Sequence, residues 1–566
     1  MRSARSDPPA AHVDSMEAAR ATLDTLRAAG VTHLVISPGS RSAPIAYAAA
    51  EAQAVGLLSV HVRIDERDAG FTALGLALAS GEPVAIATTS GTAVGELLPA
   101  VMEANHAAVP LIVLSADRPA ELHGTGANQT TQQAGLFGAH VRAAVVVPAG
   151  QDPRDPVGQA AATATTAPRG PVQIDLEFRD PLTPEPGEPM QVPTPLDALP
   201  AAGGRVTRHD VAVSPGASPR RTVVIAGHDA GSGAARFAEA HGLPLLAEPS
   251  SNARSGANAI GPYRLLIGHF SGGPEPIERV VLFGRPTLSR PVARLLADES
   301  IRSALYAPEP VAWFEPGRRR ERVVADLAGL SEFAGTAPQG WLEAWREASA
   351  VAERVIADDL GAGGLSGPEL ARALWAADAG PLVIGSSNAV RDADLWADPA
   401  AVTAGRRVFA NRGLAGIDGT IATATGVAIA ASERTTLLVG DVTFLHDVGG
   451  LHLGAGEAEP ELDVVVLNDG GGAIFATLEH GAVDEGRAYG DAVERFFATP
   501  HAVDLAAIAA AYGVAYVPVS STEELAAALA APRGAGRRIV DVKMPRTDVR
   551  ARAQRIASAV ARALAV

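Results

Sequence analysis

The sequence predicts an α/β protein with three doubly wound parallel-sheet domains. The first observation behind this prediction is a repeated order of short apolar strand, Gly-containing turn and helix, as in THLVISPGSRSAPIAYAAAEA. Buried strands that alternate with helices are typical of parallel sheets covered on both faces. The second observation is the length of 566 residues, which is enough for about three or four domains of ordinary size.

The alternation of strands and helices runs through the chain in three blocks. The first block ends near GPVQIDLEFRDPL, which predicts a domain over residues 1–185. Nine prolines and little periodicity between residues 181 and 220 predict a linker over 186–220. A central α/β domain is predicted over 221–350 and a third over 351–566, the latter with the strands TTLLVGDV and LDVVVLND. Ligands of such sheets bind beyond the carboxyl ends of the strands, so function is expected in the loops that follow strands.

The composition narrows the class of protein. There is no cysteine, which excludes disulfides and a cysteine nucleophile, and Lys543, the one lysine, is the single candidate for a Schiff base. The formal net charge of −16 argues against general nucleic-acid binding. No stretch resembles a membrane span or a secretory signal, so we expect a cytoplasmic protein without membrane insertion.

Two predicted strands of the third domain end in oxygen-bearing side chains beside glycines. TTLLVGDV stops at Gly440 and Asp441, and VVVLNDGGGAIF stops at Asn468 before the run Gly470–Gly472. The 27 positions between Asp441 and Asn468 leave room for one strand–helix–strand unit, so both side chains are predicted to face one crevice. A carboxylate, an amide oxygen and a backbone carbonyl suit Mg²⁺, which keeps phosphate oxygens as further ligands. The pattern predicts a metal-bound diphosphate, and ordinary turn residues are the alternative.

The same segments resemble a known class of enzymes. GDV…LND resembles the G-D-G…N-N signature of thiamine-diphosphate enzymes, with Val442 and Asp469 as departures from it. ISPGSRSAPIA, RIDERDAGFTALGLA, NRGLAGIDGTIATATG and TPHAVDLA resemble one family, the menaquinone-pathway synthases that make 2-succinyl-5-enolpyruvyl-6-hydroxy-3-cyclohexene-1-carboxylate. The matching segments extend from about Val31 to Asp504 in the order that the family has.

This resemblance implies a fold, a reaction and an assembly. The first domain resembles the pyrimidine-binding domain of thiamine-diphosphate enzymes, and the third resembles their diphosphate-binding domain. The implied cofactors are thiamine diphosphate and Mg²⁺ or Mn²⁺. The implied transferase reaction decarboxylates 2-oxoglutarate and adds the succinyl group to isochorismate in a 1,4-addition. In this family the cofactor lies between the first domain of one subunit and the third of another, which implies a homodimer or homotetramer.

Glu66 is the catalytic residue that the resemblance implies. It follows the predicted strand SVHVRID and precedes a helix, where an acidic residue in the first turn is the alternative reading from the residues alone. By resemblance its carboxylate binds the aminopyrimidine ring of the cofactor and promotes the tautomer that takes up the thiazolium proton.

The remaining site residues also follow from the resemblance. The residues expected to bind the cofactor, besides Glu66, are Ile417, Gly440, Asp441, Asn468, Gly470, Gly471, Gly472, Ile474 and Phe475, with Asp441, Asn468 and Gly470 as metal ligands. The residues expected to bind substrate are Ser40, Arg41, Arg118, Gln129, Ser387, Arg391, Arg412 and Leu478. Arginine suits these dianionic substrates because its guanidinium binds carboxylates in a bidentate manner.

The substrate residues divide by domain. Ser387 and Arg391 are assigned to the distal carboxylate of 2-oxoglutarate, and the residues of the first domain to isochorismate, while Arg412 could serve either. His446 and Asp447 are interpreted as helix-start residues, and their role is left open. Two other functions stay open: a different thiamine-diphosphate enzyme, such as an acetolactate synthase or a 2-oxoacid decarboxylase, and a non-catalytic nucleotide-binding relative.

Overall fold

Three separate parallel sheets make up the protein. The computed structural model describes residues 12–193, 218–315, 317–361, 364–377, 380–403, 405–485, 488–531, 534–546 and 549–565. In this part of the chain every ladder between neighbouring strands is parallel. The predicted fold class, α/β with three doubly wound domains, is confirmed. Most of the predicted linker, residues 194–217, lies outside the described residues.

The first sheet has six strands and six helices. Its strands are β1 (His33–Ile36), β2 (Ser59–Val62), β3 (Val84–Thr88), β4 (Leu111–Asp117), β5 (Ala144–Val147) and β6 (Val172–Glu177). Its helices are α1 (Ser15–Ala28), α2 (Ala43–Ala54), α3 (Glu66–Ser80), α4 (Thr92–Glu96), α5 (Leu98–Ala107) and α6 (Arg154–Thr165). The strands lie in the order β2-β1-β3-β4-β6-β5.

The central sheet has five strands. They are β7 (Thr222–Ala226), β8 (Leu245–Ala247), β9 (Arg279–Phe283), β10 (Arg302–Tyr306) and β11 (Arg322–Val324). The helices around them are α7 (Gly233–His241), α8 (Tyr263–Gly272), α9 (Arg290–Ala297), α10 (Leu327–Ala334) and α11 (Trp341–Gly361). The strands lie in the order β11-β10-β9-β7-β8.

The third sheet again has six strands. They are β12 (Leu382–Ile384), β13 (Val408–Phe409), β14 (Thr435–Gly440), β15 (Leu462–Asn468), β16 (Ala515–Val519) and β17 (Arg537–Lys543). The helices are α12 (Gly367–Ala376), α13 (Asn388–Trp396), α14 (Thr420–Ala431), α15 (Asp441–His446), α16 (Ile474–Thr477), α17 (Glu479–Glu485), α18 (Gly490–Val493), α19 (Leu505–Tyr512), α20 (Thr522–Ala530) and α21 (Val549–Leu564). The order β13-β12-β14-β15-β17-β16 repeats that of the first sheet, strand for strand.

One helix crosses the predicted boundary between the second and third domains. α11 continues past residue 350, and both Trp345 and Ile356 on it pack in the core of the central sheet. Val560 of α21 packs in the same core, so the C-terminal helix returns to the central domain. We therefore propose to move the boundary from 350 to the end of α11. None of the helices in the described ranges is long and apolar enough to cross a membrane.

The first and third domains join through α3 and α14, which cross at glycines. A Cβ added at Gly75 of α3 would overlap the backbone carbonyl oxygen of Thr423. A Cβ added at Gly426 of α14 would overlap the carbonyl oxygen of Thr72 in the same way. The contact is reciprocal, because each glycine lies three residues after the threonine whose oxygen faces the other helix. Only glycine permits the two backbones to approach this closely.

We expect Gly75→Ala to destabilise the protein by about 1–3 kcal/mol, because its methyl group has to displace helix backbone rather than a flexible side chain. Gly268→Ala is the matched control. No heavy atom in the described residues lies within 4 Å of the position that its Cβ would take in α8. This change should stabilise the helix by about 0.5–1 kcal/mol. Thermal unfolding of both variants tests the expectation, and equal midpoints would contradict it.

Candidate active site

A small pocket, with a cavity volume of about 40 Å³, lies at the carboxyl ends of β14 and β15. We call it the diphosphate pocket. The predicted residues that line it are Ser387, Gly440, Asp441, Gly471, Gly472 and Ile474. The first turn of α13 lines the opposite side, so backbone N–H groups and the positive end of a helix dipole meet there. These features favour the binding of an anion in the pocket.

Asp441 organises the glycine loop of this pocket. Its Oδ2 accepts hydrogen bonds from the backbone N–H of Gly470 at 2.7 Å and of Gly471 at 3.0 Å, and its Oδ1 accepts from Val442 at 2.7 Å. Gly470 has a positive φ of 74°, a conformation that favours glycine. Burial raises the pKa of the Asp441 carboxyl, and these N–H donors partly oppose the rise.

Asn468 lies at the end of β15, and its amide NH₂ group, rather than its amide oxygen, is used in a hydrogen bond within the protein. Its Nδ2 donates to Asp541 Oδ1 at 2.8 Å, and Asp541 Oδ2 also accepts from the Tyr516 hydroxyl at 2.7 Å. This orientation leaves Asn468 Oδ1 as the oxygen for a cation. In the described stretches no group of three or more His, Cys, Asp and Glu side chains could hold a metal ion. A divalent cation here would therefore use one carboxylate, an amide oxygen, the Gly470 carbonyl and oxygens of its ligand.

Gly440 shows that the pocket suits a bound group. Its φ of −78° is one that any residue adopts, so the backbone does not require glycine. In the described part of the chain no heavy atom lies within 4 Å of the position of an added Cβ. Neither conformation nor packing explains the glycine, whereas a ligand that needs this space does. The donors and the open space together fit a metal-bound diphosphate.

Two polar residues of this region were not predicted as site residues. His501 Nε2 lies 3.2 Å from Asp441 Oδ2, and the His501 backbone N–H donates to the Gly470 carbonyl at 3.2 Å. Asp469 lines the pocket, and burial with the nearby Asp441 carboxylate raises its pKa to about 7. The segment TPHAVDLA is part of the family resemblance, but nothing in its spacing indicates that His501 reaches Asp441.

Glu66 begins α3 in the first domain. The Asp65 carboxylate caps the helix by accepting from the backbone N–H groups of Arg67 at 2.9 Å and Asp68 at 3.3 Å, which holds Glu66 in the first turn. Burial raises the pKa of the Glu66 carboxyl, and the Asp65 and Glu96 carboxylates add to the rise. The predicted strand–turn–helix position of Glu66 is as observed.

Predicted substrate residues of the first domain meet where strands end. Arg118 follows β4, and its Nη1 donates to the Gln129 carbonyl at 3.0 Å and to the Ser90 hydroxyl. Gln129 Nε2 donates to the Ser90 carbonyl at 2.9 Å. Arg41 lies close enough to contribute, after burial, to lowering the pKa of Arg118. We call Arg41, Arg118 and Gln129 the first-domain corner; Ser40, beside Arg41, is exposed.

Arg391 and Arg412 form a second cationic group in the third domain. Burial lowers the pKa of Arg391, and the neighbouring Arg412 guanidinium is the next largest cause. Arg412 Nη1 donates to the Ser386 hydroxyl at 3.3 Å, and Arg391 Nη1 donates to the Ser387 carbonyl at 2.6 Å. Arg412 is buried and Arg391 is half-buried, so the two like charges repel each other and an anion bound between them would be stabilised.

The apolar candidates lie in two segments of the third domain. The ring of Phe475 packs against those of Phe497 and His480, with centroids 5.6 and 5.7 Å away. Leu478 follows α16 and is half-buried. Ile417 is half-buried in the loop before α14, and its carbonyl accepts from the Thr420 hydroxyl at 3.1 Å.

The interpretation of His446 as a helix-start residue is wrong, because His446 is the last residue of α15. Asp447 does serve a helix start, but that of α14. Its Oδ2 accepts from the backbone N–H groups of Ile421 at 2.6 Å and Ala422 at 3.0 Å. It also pairs with Arg67 of α3 at 3.4 Å. Asp447 thus supports the contact between the first and third domains.

Two known domain families match this chain. The thiamine pyrophosphate enzyme N-terminal TPP binding domain matches residues 16–136, and the C-terminal TPP binding domain matches residues 393–542. A protein of Paenarthrobacter aurescens (strain TC1), named 2-succinyl-5-enolpyruvyl-6-hydroxy-3-cyclohexene-1-carboxylate synthase, is 58% identical over 97% of both chains. The chain belongs to this synthase family. A synthase of the same name from Mycobacterium avium (strain 104) is 42% identical, with 94% of this chain and 97% of that one covered.

A solved structure supports the fold of this synthase family member. It is a putative thiamin diphosphate-dependent enzyme from Mycobacterium smegmatis, with a TM-score of 0.65 and 16% identity over 94% of this chain and 100% of that one. Because both matched domain families are TPP binding domains, thiamine diphosphate is the cofactor of the family to which the chain belongs. In this member of the synthase family, both matched domains contain candidate site residues: Glu66 lies in the first and Asp441 in the second.

We expect Gly440→Ala to leave the fold intact and to weaken the binding of thiamine diphosphate. The new methyl group occupies open space in the diphosphate pocket, so it competes with the ligand and not with the protein. Calorimetric titration with thiamine diphosphate and Mg²⁺ measures the affinity, and thermal unfolding without ligand checks the fold. Wild-type affinity in a folded variant would contradict the placement of the diphosphate.

Proposed function

We propose that this chain is a thiamine diphosphate-dependent transferase that decarboxylates 2-oxoglutarate and adds the succinyl group to isochorismate. The product is 2-succinyl-5-enolpyruvyl-6-hydroxy-3-cyclohexene-1-carboxylate, and the pathway is menaquinone biosynthesis. The observation that carries this proposal is the 58% identity, over 97% of both chains, to a synthase of that name. The diphosphate pocket and the two groups of arginines support it, because the reaction needs a cofactor and two anionic substrates.

The residues of the third domain would hold the cofactor. Asp441, Asn468 and the Gly470 carbonyl supply oxygens for Mg²⁺ or Mn²⁺, and the start of α13 supplies N–H donors for the diphosphate. Thiamine diphosphate, when bound, supplies the electron sink that lets a 2-oxo acid lose CO₂. Ile417, Ile474 and Phe475 offer apolar surface for its rings.

Glu66 would move a proton at a nitrogen of the pyrimidine ring. A carboxyl whose pKa is raised by burial and by like charges exchanges a proton closer to neutral pH than an ordinary glutamate does. The Asp65 cap fixes the start of α3 and therefore the backbone position from which the Glu66 carboxyl extends.

The arginines would bind the substrates. Arg391 and Arg412 would hold the distal carboxylate of 2-oxoglutarate together with Ser387. The first-domain corner and Ser40 would hold the carboxylates of isochorismate. Guanidinium groups suit both, because bidentate hydrogen bonds match carboxylate geometry.

The arrangement favours a homo-oligomer. In the residues that the structure describes, no hydrogen bond or ion pair joins Glu66 or the first-domain corner to the diphosphate pocket of the same chain. A second copy would supply the missing half of each site, as the resemblance implies, so a dimer is the smallest assembly that we propose.

Product formation tests the proposed function. The purified protein should form the product from isochorismate and 2-oxoglutarate only when thiamine diphosphate and a divalent cation are present. Formation of acetolactate from pyruvate, or no reaction with either substrate set, would overturn the assignment.

We expect Glu66→Gln to lower turnover by roughly 10²–10⁴-fold, because an amide keeps the shape but cannot hold and release the proton. Thiamine diphosphate should still bind. Glu96→Gln is the matched control, since Glu96 is an exposed neighbouring carboxylate, and it should stay near wild-type turnover. Steady-state kinetics and calorimetry measure the two properties. Full turnover in Glu66→Gln would exclude the proton role.

The two arginine groups should act on different halves of the reaction. Loss of a charge-assisted hydrogen bond lowers affinity by roughly ten- to a hundredfold. Arg391→Ala should therefore slow the release of labelled CO₂ from carboxyl-labelled 2-oxoglutarate in a single turnover without isochorismate. Arg41→Ala should leave that release unchanged and raise the KM for isochorismate. If both variants slow CO₂ release equally, the division between the substrates is wrong.

A further inference from the structure

The guanidinium of Arg412 is held by a residue of the central domain. Arg412 Nε donates to the Thr287 hydroxyl at 3.0 Å, and Nη2 donates to the Thr287 carbonyl at 3.0 Å. One edge of the guanidinium is thus fixed by a single residue 125 positions away in the chain. Nη1, on the other side, has the Ser386 hydroxyl at 3.3 Å as its partner.

Thr287 is held in turn by a buried carboxylate. Glu248 follows β8 and is 1% exposed. Its Oε1 accepts from the backbone N–H groups of Thr287 at 2.8 Å and Leu288 at 3.0 Å. Burial raises the pKa of Glu248 to about 7, whereas the two N–H donors and the Arg412 guanidinium favour the charged form. Glu248 therefore fixes the turn that carries Thr287 and also attracts Arg412.

The backbone beyond Arg412 is fixed from the first domain. Glu103 on α5 is 4% exposed and accepts from the backbone N–H groups of Gly413 and Leu414, each at 2.6 Å. Arg285 of the central domain donates to the Gly413 carbonyl at 2.7 Å. The loop can therefore not shift to compensate when the side chain of Arg412 loses its partner.

We propose that Thr287 and Glu248 are positioning residues that hold the guanidinium of Arg412 where, beside Arg391, it binds the substrate carboxylate. This inference rests on the proposed function, because it takes 2-oxoglutarate as the substrate that Arg391 binds. It gives the central domain a part in substrate binding. The two guanidiniums repel each other without an anion, so a wrongly placed Arg412 would weaken the binding of that anion.

Thr287→Val tests the proposal with little change of shape. Valine keeps the volume and the backbone carbonyl but removes the hydroxyl that accepts from Nε. We expect the KM for 2-oxoglutarate to rise roughly tenfold, the lower end for a hydrogen bond to a charged group. The KM for isochorismate and the kcat should stay near their wild-type values. An unchanged KM for 2-oxoglutarate would overturn the proposal.

The matched control is Thr222→Val, also in the central domain. The Thr222 hydroxyl donates to the Ala334 carbonyl at 2.6 Å, inside the core and away from Arg412. This variant should lose stability and keep wild-type KM values. If it raises the KM for 2-oxoglutarate as much as Thr287→Val does, the effect is general loss of structure and the proposal is wrong.

A double-mutant cycle and Glu248→Gln separate positioning from stability. In an Arg412→Ala background, Thr287→Val should no longer change the KM for 2-oxoglutarate, because the group that it positions is gone. Glu248→Gln should raise the KM for 2-oxoglutarate in the protein that has Arg412 and should leave it unchanged in the Arg412→Ala background. Independent effects in both backgrounds would overturn the proposal. If wild-type protein forms no product from the two substrates, the proposed function fails, and this outcome is distinct from the failure of the positioning proposal.

Discussion

The close crossing of α3 and α14 is the constraint on which the site depends. Gly75 and Gly426 let the two backbones touch, and Asp447 caps α14 while it pairs with Arg67 of α3. α3 begins with Glu66, and the loop that contains Arg412 and Ile417 leads into α14. Within one chain, this helix contact therefore fixes the start of α3, where the candidate proton-transfer residue Glu66 lies. It also fixes the loop before α14, where the candidate substrate residue Arg412 lies.

A buried charge joins the central domain to the third. The guanidinium of Arg254, in the central domain, donates to the carbonyls of Ala247 at 2.7 Å, Asp394 at 3.0 Å and Ala397 at 2.8 Å. The last two carbonyls lie at the carboxyl end of α13, where a cation is favourable for the helix dipole. The other end of α13 lines the diphosphate pocket. Arg254 of the central domain thus holds in place the helix that would bind the diphosphate.

Local sequence patterns predicted the secondary-structure elements and the loops at the strand ends well. They did not predict hydrogen bonds between residues that lie far apart in the chain. The alternation of strands and helices gave three parallel sheets, and the two strand ends at Asp441 and Asn468 do lie side by side. Thr287 and Glu248 could not be found in this way, because hydrogen-bond partners far apart in the chain leave no periodicity. The role of Asp447 was missed for the same reason, because it caps a helix that begins 27 residues earlier.

The matching strand order of the first and third sheets has a consequence for the division of labour. Glu66 lies nine residues before Gly75, and Ile417 lies nine residues before Gly426. Glu66 and Ile417 therefore occupy equivalent positions relative to the helix crossing, in two domains that share one strand order. The two halves therefore differ at this position: one has the acid Glu66 where the other has the apolar Ile417. In the proposed dimer, each chain would supply its acid to one site and its apolar side chain to the other, so the two halves of a chain are not interchangeable.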